Sequence, residues 1–208
     1  MRTNFFPLFH SPIDLAHHYW KQLLQPGDNV IDATCGNGKD TLFLSEQLFS
    51  LSDASTLIAI DIQQQAVEKT RSLLKAHGKN LHFYTQSHAT FPELAYTLPI
   101  RLIVYNFGYL PHGNKSLTTL TESTLASFEA ALALVMPGGC ISATCYPGHL
   151  EGKREESALL AFTQKLDPTQ WCVTWHTWPN RTLSPSLLLL QKSCFLPSCF
   201  LPSNKSPL

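Results

Sequence analysis

One feature limits the folds open to this chain more than any other. Apolar strand-like runs alternate with helical stripes five times, and then the pattern stops. "NVIDAT", "TLIAIDI", "LHFYTQS", "LIVYNF" and "GCISATCY" are short apolar runs of the length of buried strands. Residues 12–25, "TLFLSEQLFSL", "QQAVEKTRSLLKAHG", 118–135 and "REESALLAFTQKL" carry apolar residues at helical spacing. The chain then closes on "CVTWHTW" and "SLLLLQKS", with no helix between them. Alternation predicts a mostly parallel sheet with helices on both faces, because a parallel crossover needs a helix-length connection. The closing pair predicts an antiparallel edge.

The chain's 208 residues suffice for one domain with a full core and fall short of two. We expect one domain over 1–193, including the helix at 12–25. Residues 194–208 repeat Cys-Phe-Leu-Pro-Ser and are expected to form a flexible tail, since prolines bar regular structure. Fifteen Lys and Arg balance fifteen Asp and Glu, so no global field draws the chain to nucleic acid or membrane. Any RNA binding must use a local patch. No apolar run reaches the roughly 20 residues of a membrane helix, and the N-terminus lacks the continuous apolar stretch of a signal peptide. Six cysteines without a C-x-x-C pair read as reduced thiols in a cytoplasmic protein. No His, Cys or Asp spacing reads as a metal site.

In open parallel sheets ligands bind beyond the carboxyl ends of the strands. That rule selects residues 32–40, 61–63, 86–89, 106–116 and 145–154. "IDATCGNGKDT" follows a strand and opens a helix, and its two glycines let backbone N–H groups approach a ligand. It is not G-x-G-x-x-G, because Thr41 stands where the third glycine would be, so a dinucleotide site is disfavoured. Seven strands in this order suit a Rossmann-like methyltransferase sheet better than a dehydrogenase sheet. Asp32, at a strand end, is an acceptor suited to a cationic ligand such as the methionine part of S-adenosylmethionine. Asp61 ends the second strand, where a carboxylate can accept both ribose hydroxyls. Ser87 and His88 end the third, where adenine would lie. The expected cofactor set is Asp32, Ala33, Thr34, Gly36, Asn37, Gly38, Asp40, Thr41, Asp61, Ile62, Gln63, Ser87, His88 and Asn106.

"DATCGNGKDTLFL", "NFGYLPHGNKS" and "YPGHLEGKREE" together resemble one family, over about residues 10–192. It is the small class I S-adenosylmethionine-dependent methyltransferases labelled rRNA methylases. Members of that family are associated with N-methylation of 5-aminomethyl-2-thiouridine at the tRNA wobble position. Asn106, Gly108, Tyr109, Leu110, Pro111, Gly113 and Lys115 match the second run. Tyr146, Gly148, His149, Gly152 and Glu155 match the third, and Asn180 and Pro185 match the family's closing loop. His112, Asn114, Glu151 and Gln86 depart from the usual residues, which bears on substrate detail. The resemblance implies S-adenosylmethionine as cofactor and the anticodon region of tRNA as substrate.

Methyl transfer is an in-line displacement, and the protein's main work is to place a neutral nucleophile against the methyl carbon. An alkylammonium has no lone pair, so the site must favour the free amine. Asn106 can accept from the amine and orient it. Tyr109 and His149 complete the candidate catalytic set, His149 as a base or base-contacting group. Phe107, Gly108, Tyr109, Leu110, Pro111, Lys115, Tyr146, His149, Lys153 and Arg181 are the candidate substrate contacts. Among them Phe107, Tyr109 and Tyr146 would stack on an extruded base. Lys39, Lys115, Lys153, Arg154 and Arg181 would form the local cationic patch. An amine nucleophile needs no catalytic cysteine. An rRNA or small-amine methyltransferase, and a non-enzymatic cofactor-binding scaffold, remain alternatives. The N-terminal helix and the closing strand pair are candidate faces for a homodimer.

Overall fold

The computed structural model describes residues 8, 10–75, 77, 80–108 and 119–194. The N-terminal helix α1 spans Pro12–Leu23 and starts with a capping box, in which Ser11 Oγ accepts from Asp14 N and Asp14 Oδ2 accepts from Ser11 N. It stops two residues earlier than its apolar pattern, ahead of Pro26, whose ring disfavours helix in the residue before it. Then follow β1 (Asn29–Asp32), α2 (Lys39–Leu51), β2 (Thr56–Asp61), α3 (Gln64–Leu73) and β3 (Leu81–Thr85). A short 3-10 helix at Glu93–Thr97 leads into β4 (Ile100–Asn106), α4 (Thr121–Leu134), β5 (Val135–Cys145) and α5 (Leu150–Thr163). The chain closes with β6 (Trp171–His176) and β7 (Ser186–Lys192).

Among the described residues these strands form one sheet in the order β3-β2-β1-β4-β5-β7-β6. All pairings up to β5 are parallel, and β7 pairs antiparallel with both β5 and β6. This is the mostly parallel sheet with an antiparallel C-terminal pair that the alternation predicts. β5 begins earlier than its sequence suggests. Pro137-Gly138-Gly139, between the helical stripe at 118–135 and the run "GCISATCY", lies inside β5, where the β4–β5 register shifts between Ile100 and Leu102. Proline and glycine fit such an irregular strand start, which spares the proline a ladder hydrogen bond.

Strand side chains alternate between two cores. On one face Ile103, Tyr105, Ile141 and Leu188 pack against Phe128 and Ala131 of α4 and Leu159 of α5. On the other Val30, Leu102, Val104 and Leu189 pack against Ala16 and Trp20 of α1 and Leu44 and Leu48 of α2. Trp20 is anchored by a buried hydrogen bond from its Nε1 to Ser142 Oγ at 2.9 Å. α1 is therefore part of the sheet's cover. No helix among the described residues is long and apolar enough to cross a membrane.

Candidate active site

Asp32, Asp61, Asn106 and Cys145 are the last residues of β1, β2, β4 and β5, and they share one edge of the sheet. The turn that follows Asp32 is sewn to both neighbouring strands. Ala33 N donates to Val104 O and Cys35 N to Ile60 O, each at 2.9 Å. Gly38 ends the turn at φ 79° and caps α2 without a side-chain partner, so the first N–H groups of α2 lack a side-chain cap. A Cβ on Gly38 would lie 2.8 Å from Thr70 Oγ1 and 3.1 Å from Thr70 Cα. The glycine is thus required by the packing of α3 as well as by its own backbone. Thr70 also donates to Gly36 O, and Lys69 Nζ donates to Asn37 Oδ1 at 2.6 Å.

Two expected acceptors occupy different depths. Asp61 Oδ2 accepts from Gly36 N at 2.9 Å and Oδ1 from Gln63 N at 2.8 Å, while the residue stays partly open. Burial raises its pKa above the ordinary range, against the pull of those two N–H donors. Ile62, beside it, is 64% exposed at the sheet edge, where an apolar side chain gains nothing from water. Asp32 lies beneath the turn instead. It is buried, and its oxygens accept from Thr41 Oγ1 at 2.6 Å and Thr34 N at 3.2 Å. Burial raises Asp32 to about 7, opposed by the Thr41 hydroxyl and reinforced by Asp40 and Asp61. Its role in this geometry is to brace the turn. The carboxylates of Asp32, Asp40 and Asp61 give the cradle a negative potential that suits a cationic ligand.

Asn106 faces this cradle. Its backbone N donates to Thr34 Oγ1 at 2.7 Å, and its Nδ2 donates to Asp40 Oδ2 at 3.1 Å. Asp40 Oδ1 in turn meets His17 Nε2 at 2.8 Å, and the His17 ring stacks on Phe43 with centroids 3.9 Å apart. Asn106 Oδ1 is left buried without a hydrogen-bond partner. Tyr146 stands close by, and burial pushes its phenol up to about 12, with Asp40 adding and the Asn106 amide tempering. Sequence reasoning placed Asp40 in the cradle but missed its link to His17. His17 of α1 and Asp40 in the first turn of α2 are 23 residues apart and share no local signal.

Three of the expected site residues have a structural environment of their own. Phe107 faces the core. It is 3% exposed and packs on Tyr105 at 5.2 Å and Phe128 at 6.2 Å. Side chains alternate along a strand and just past its end, so the face that points Asn106 at the cradle sends Phe107 into the α4 core. His149 is the N-cap of α5. Its Nδ1 accepts from Gly152 N at 3.1 Å and caps α5, so a neutral ring carries its proton on Nε2 and acts as a donor. His88 is buried against Tyr105 and Phe107 rather than lining a surface, and burial lowers its pKa to about 4. Ser87 Oγ accepts from Ala89 N at the same strand end.

Further residues fall into place around Gly108. Gly108 has φ 113°, its N donates to Thr119 Oγ1, and its O accepts from Thr119 N. Thr119 Oγ1 donates on to Glu155 Oε2 at 3.0 Å, and Thr124 Oγ1 to Glu155 Oε1 at 2.5 Å. Glu155 is buried, and burial raises it to about 7 against those two hydroxyls. Tyr109, Leu110, Pro111 and Lys115 lie outside the described residues. Among the expected cations, Arg154 is taken up by Glu122 at 2.7 Å and Glu151 at 3.7 Å, both on the surface. Lys153 and Arg181 line a cavity beside Pro147. Burial raises the thiol pKa of Cys35, Cys140 and Cys145, so none is a ready nucleophile. Among the described residues no three His, Cys, Asp or Glu side chains gather to hold a metal.

Sheet order, glycine turn and strand-end acids together define a class I methyltransferase fold. A family model described as "Putative rRNA methylase" matches residues 57–192, and the chain belongs to that family. A tRNA (mnm5s2U34)-methyltransferase of Arabidopsis thaliana chloroplasts is 37% identical over 187 residues, covering 86% of this chain and 68% of the relative. The structure of an rRNA methylase from Clostridium thermocellum superposes with a TM-score of 0.81 at 28% identity, covering 88% of this chain and 98% of that one. A methyltransferase of Streptococcus mutans, solved in complex with SAH, gives 0.75 at 32% identity, covering 88% and 99%.

Proposed function

We propose that residues 1–193 form one methyltransferase domain that N-methylates the aminomethyl group of 5-aminomethyl-2-thiouridine at the wobble position of tRNA, with S-adenosylmethionine as donor. The observation that carries this reading is Asn106 Oδ1, a buried acceptor without a partner, aimed by Asp40 at the carboxyl edge of the sheet. Leaving such an atom unsatisfied costs about 1–3 kcal/mol, a cost that a ligand N–H removes. The named activity of the Arabidopsis relative supports the substrate.

The residues present fit the cofactor. The turn from Thr34 to Gly38 would take the methionine part, Asp61 the ribose hydroxyls, and Ile62 with Ser87 the adenine. When bound, S-adenosylmethionine supplies an electrophilic methyl group. Asn106 Oδ1 accepts an N–H of the neutral amine and so turns the nitrogen lone pair outward. Asn106 would thereby hold that lone pair toward the methyl donor, and the surplus proton of the methylated amine would pass to solvent. Tyr146, with its phenol kept protonated, borders the amine.

The test is mass spectrometry of nucleosides from tRNA lacking the final methyl group, after incubation with the purified protein and S-adenosylmethionine. One added methyl on the aminomethyl nucleoside is expected. Unchanged tRNA, with methylation of rRNA or a free amine, would replace this reading by another substrate.

A further inference from the structure

The carboxyl edge of the sheet continues beyond Tyr146. Because β7 is antiparallel to both neighbours, β6 runs in the same direction as β5, and its end at His176 opens on the same edge. There, between α5 and the β6–β7 connection, lies a cavity of about 260 Å³. Pro147, the residue after Tyr146, lines it and joins it to the candidate active site. Lys153 of α5, Trp175, Trp178, Arg181 and Leu183 line it as well. Its one acid, Glu156, accepts from the Ser186 hydroxyl, which leaves the wall cationic in balance.

Two apolar side chains are held open in this wall. Trp175 is 50% exposed at the end of the edge strand. Leu183 is 61% exposed and has φ 54°, the one non-glycine residue with positive φ among those described. A bulky residue persists in that backbone region only where its surroundings impose it, and such residues cluster at ligand clamps. Arg181 is fixed from two sides, with its guanidinium 5.8 Å from the Trp178 ring centre and NH1 donating to His10 O at 2.9 Å.

We propose that this groove holds a single-stranded RNA nucleotide adjacent to the one being methylated, with its base stacked on Trp175 and its phosphate between Lys153 and Arg181. An exposed indole beside paired cations is the chemistry that takes unpaired bases without reading their sequence. The proposal rests on the reading of the chain as an RNA methyltransferase and names where that RNA runs.

The experiment compares wild type, Trp175→Ala and Trp175→Phe in the full chain, using tRNA lacking the final methyl group. Trp175→Ala raises KM for tRNA about tenfold, with kcat and S-adenosylmethionine binding unchanged. Trp175→Phe restores most of the loss, and unmodified anticodon stem–loop RNA quenches the tryptophan fluorescence of wild type more than that of Trp175→Ala. An unchanged KM in Trp175→Ala, while wild type methylates tRNA, overturns the proposal. So does a change of oligomeric state in that variant without loss of RNA affinity, which would assign the groove to a second copy of the chain. Wild type that transfers no methyl to tRNA removes the functional reading itself.

Discussion

The side-chain amide of Asn106 donates to Asp40 across 66 residues of sequence, Nδ2 to Oδ2 at 3.1 Å. The bond fixes which way the amide faces, so the oxygen rather than the nitrogen is presented at the strand end. Asp40 is itself held by His17 from α1, which makes the N-terminal helix a support of the same group.

Removing the acceptor should therefore harm the reaction more than cofactor binding. Asn106→Ala is expected to lower kcat for methyl transfer by about a hundredfold, in line with the cost of misplacing a reacting group. Asp40→Ala, which frees the amide to rotate, is expected to lower it about tenfold. Transfer rates measured with labelled S-adenosylmethionine, next to its Kd by calorimetry, separate the two effects.

Gly38→Ala should cost stability. The new methyl would meet Thr70 Oγ1 at 2.8 Å and hold a left-handed backbone at φ 79°. The backbone conformation alone costs about 1–3 kcal/mol. Denaturant unfolding of the variant should show a lower midpoint, and cofactor affinity should fall with it because α2 and α3 must part.

The thiols should prove dispensable for chemistry. Cys35 and Cys145 are buried with raised pKa values, so little thiolate forms near neutral pH. The Cys35→Ala, Cys145→Ala double variant is expected to keep its methyl-transfer rate within about tenfold of wild type, a margin for packing loss. A fall of several thousandfold would restore a cysteine nucleophile.

Glu155 should set part of the pH dependence of stability. Burial raises it from 4.5 to about 7, so the fold favours the protonated acid. The stability that this preference contributes is complete below about pH 4.5 and is lost as pH rises through about 7. Glu155→Gln cannot titrate. Relative to wild type it should gain stability between those limits, by about 3 kcal/mol at most. Chemical denaturation across pH 4 to 8 (on the order of one point per half unit) would trace the difference. Asp32, also raised to about 7, leaves both proteins with a shared residual slope.

Period and punctuation made the sheet legible. Strands of four to eleven residues and helices of ten to fourteen stand where short continuous apolar runs give way to apolar residues spaced nearly four apart. The 3-10 helix at Glu93–Thr97 has too few turns to leave such a pattern. The glycine turn and Asp61 were legible because a ligand edge follows from strand direction. The burial of Phe107 was not legible, because motif residues were taken together although neighbours at a strand end point to opposite faces. The capping bond of His149 was hidden for another reason. Helix caps are usually Ser, Thr, Asp or Asn, so a histidine in a loop suggests chemistry before capping. The Asp40–Asn106 bond and the Trp20–Ser142 anchor span long stretches of chain, and nothing local encodes them.

β7 is the last described strand in the chain, yet it sits between β5 and β6 in the sheet. Its residues Ser186–Lys192 leave the ribosome after everything they join. Until then β5 presents an unpaired apolar edge from Cys140 to Cys145, a template for pairing with other chains. Co-translational folding can complete the half of the sheet from β3 to β5, with the glycine turn and Asn106, but the groove at Trp175 closes only after synthesis reaches β7. A nascent chain stalled before Ser186 would thus hold a cofactor cradle and lack the wall proposed to receive RNA, and release would commit both together.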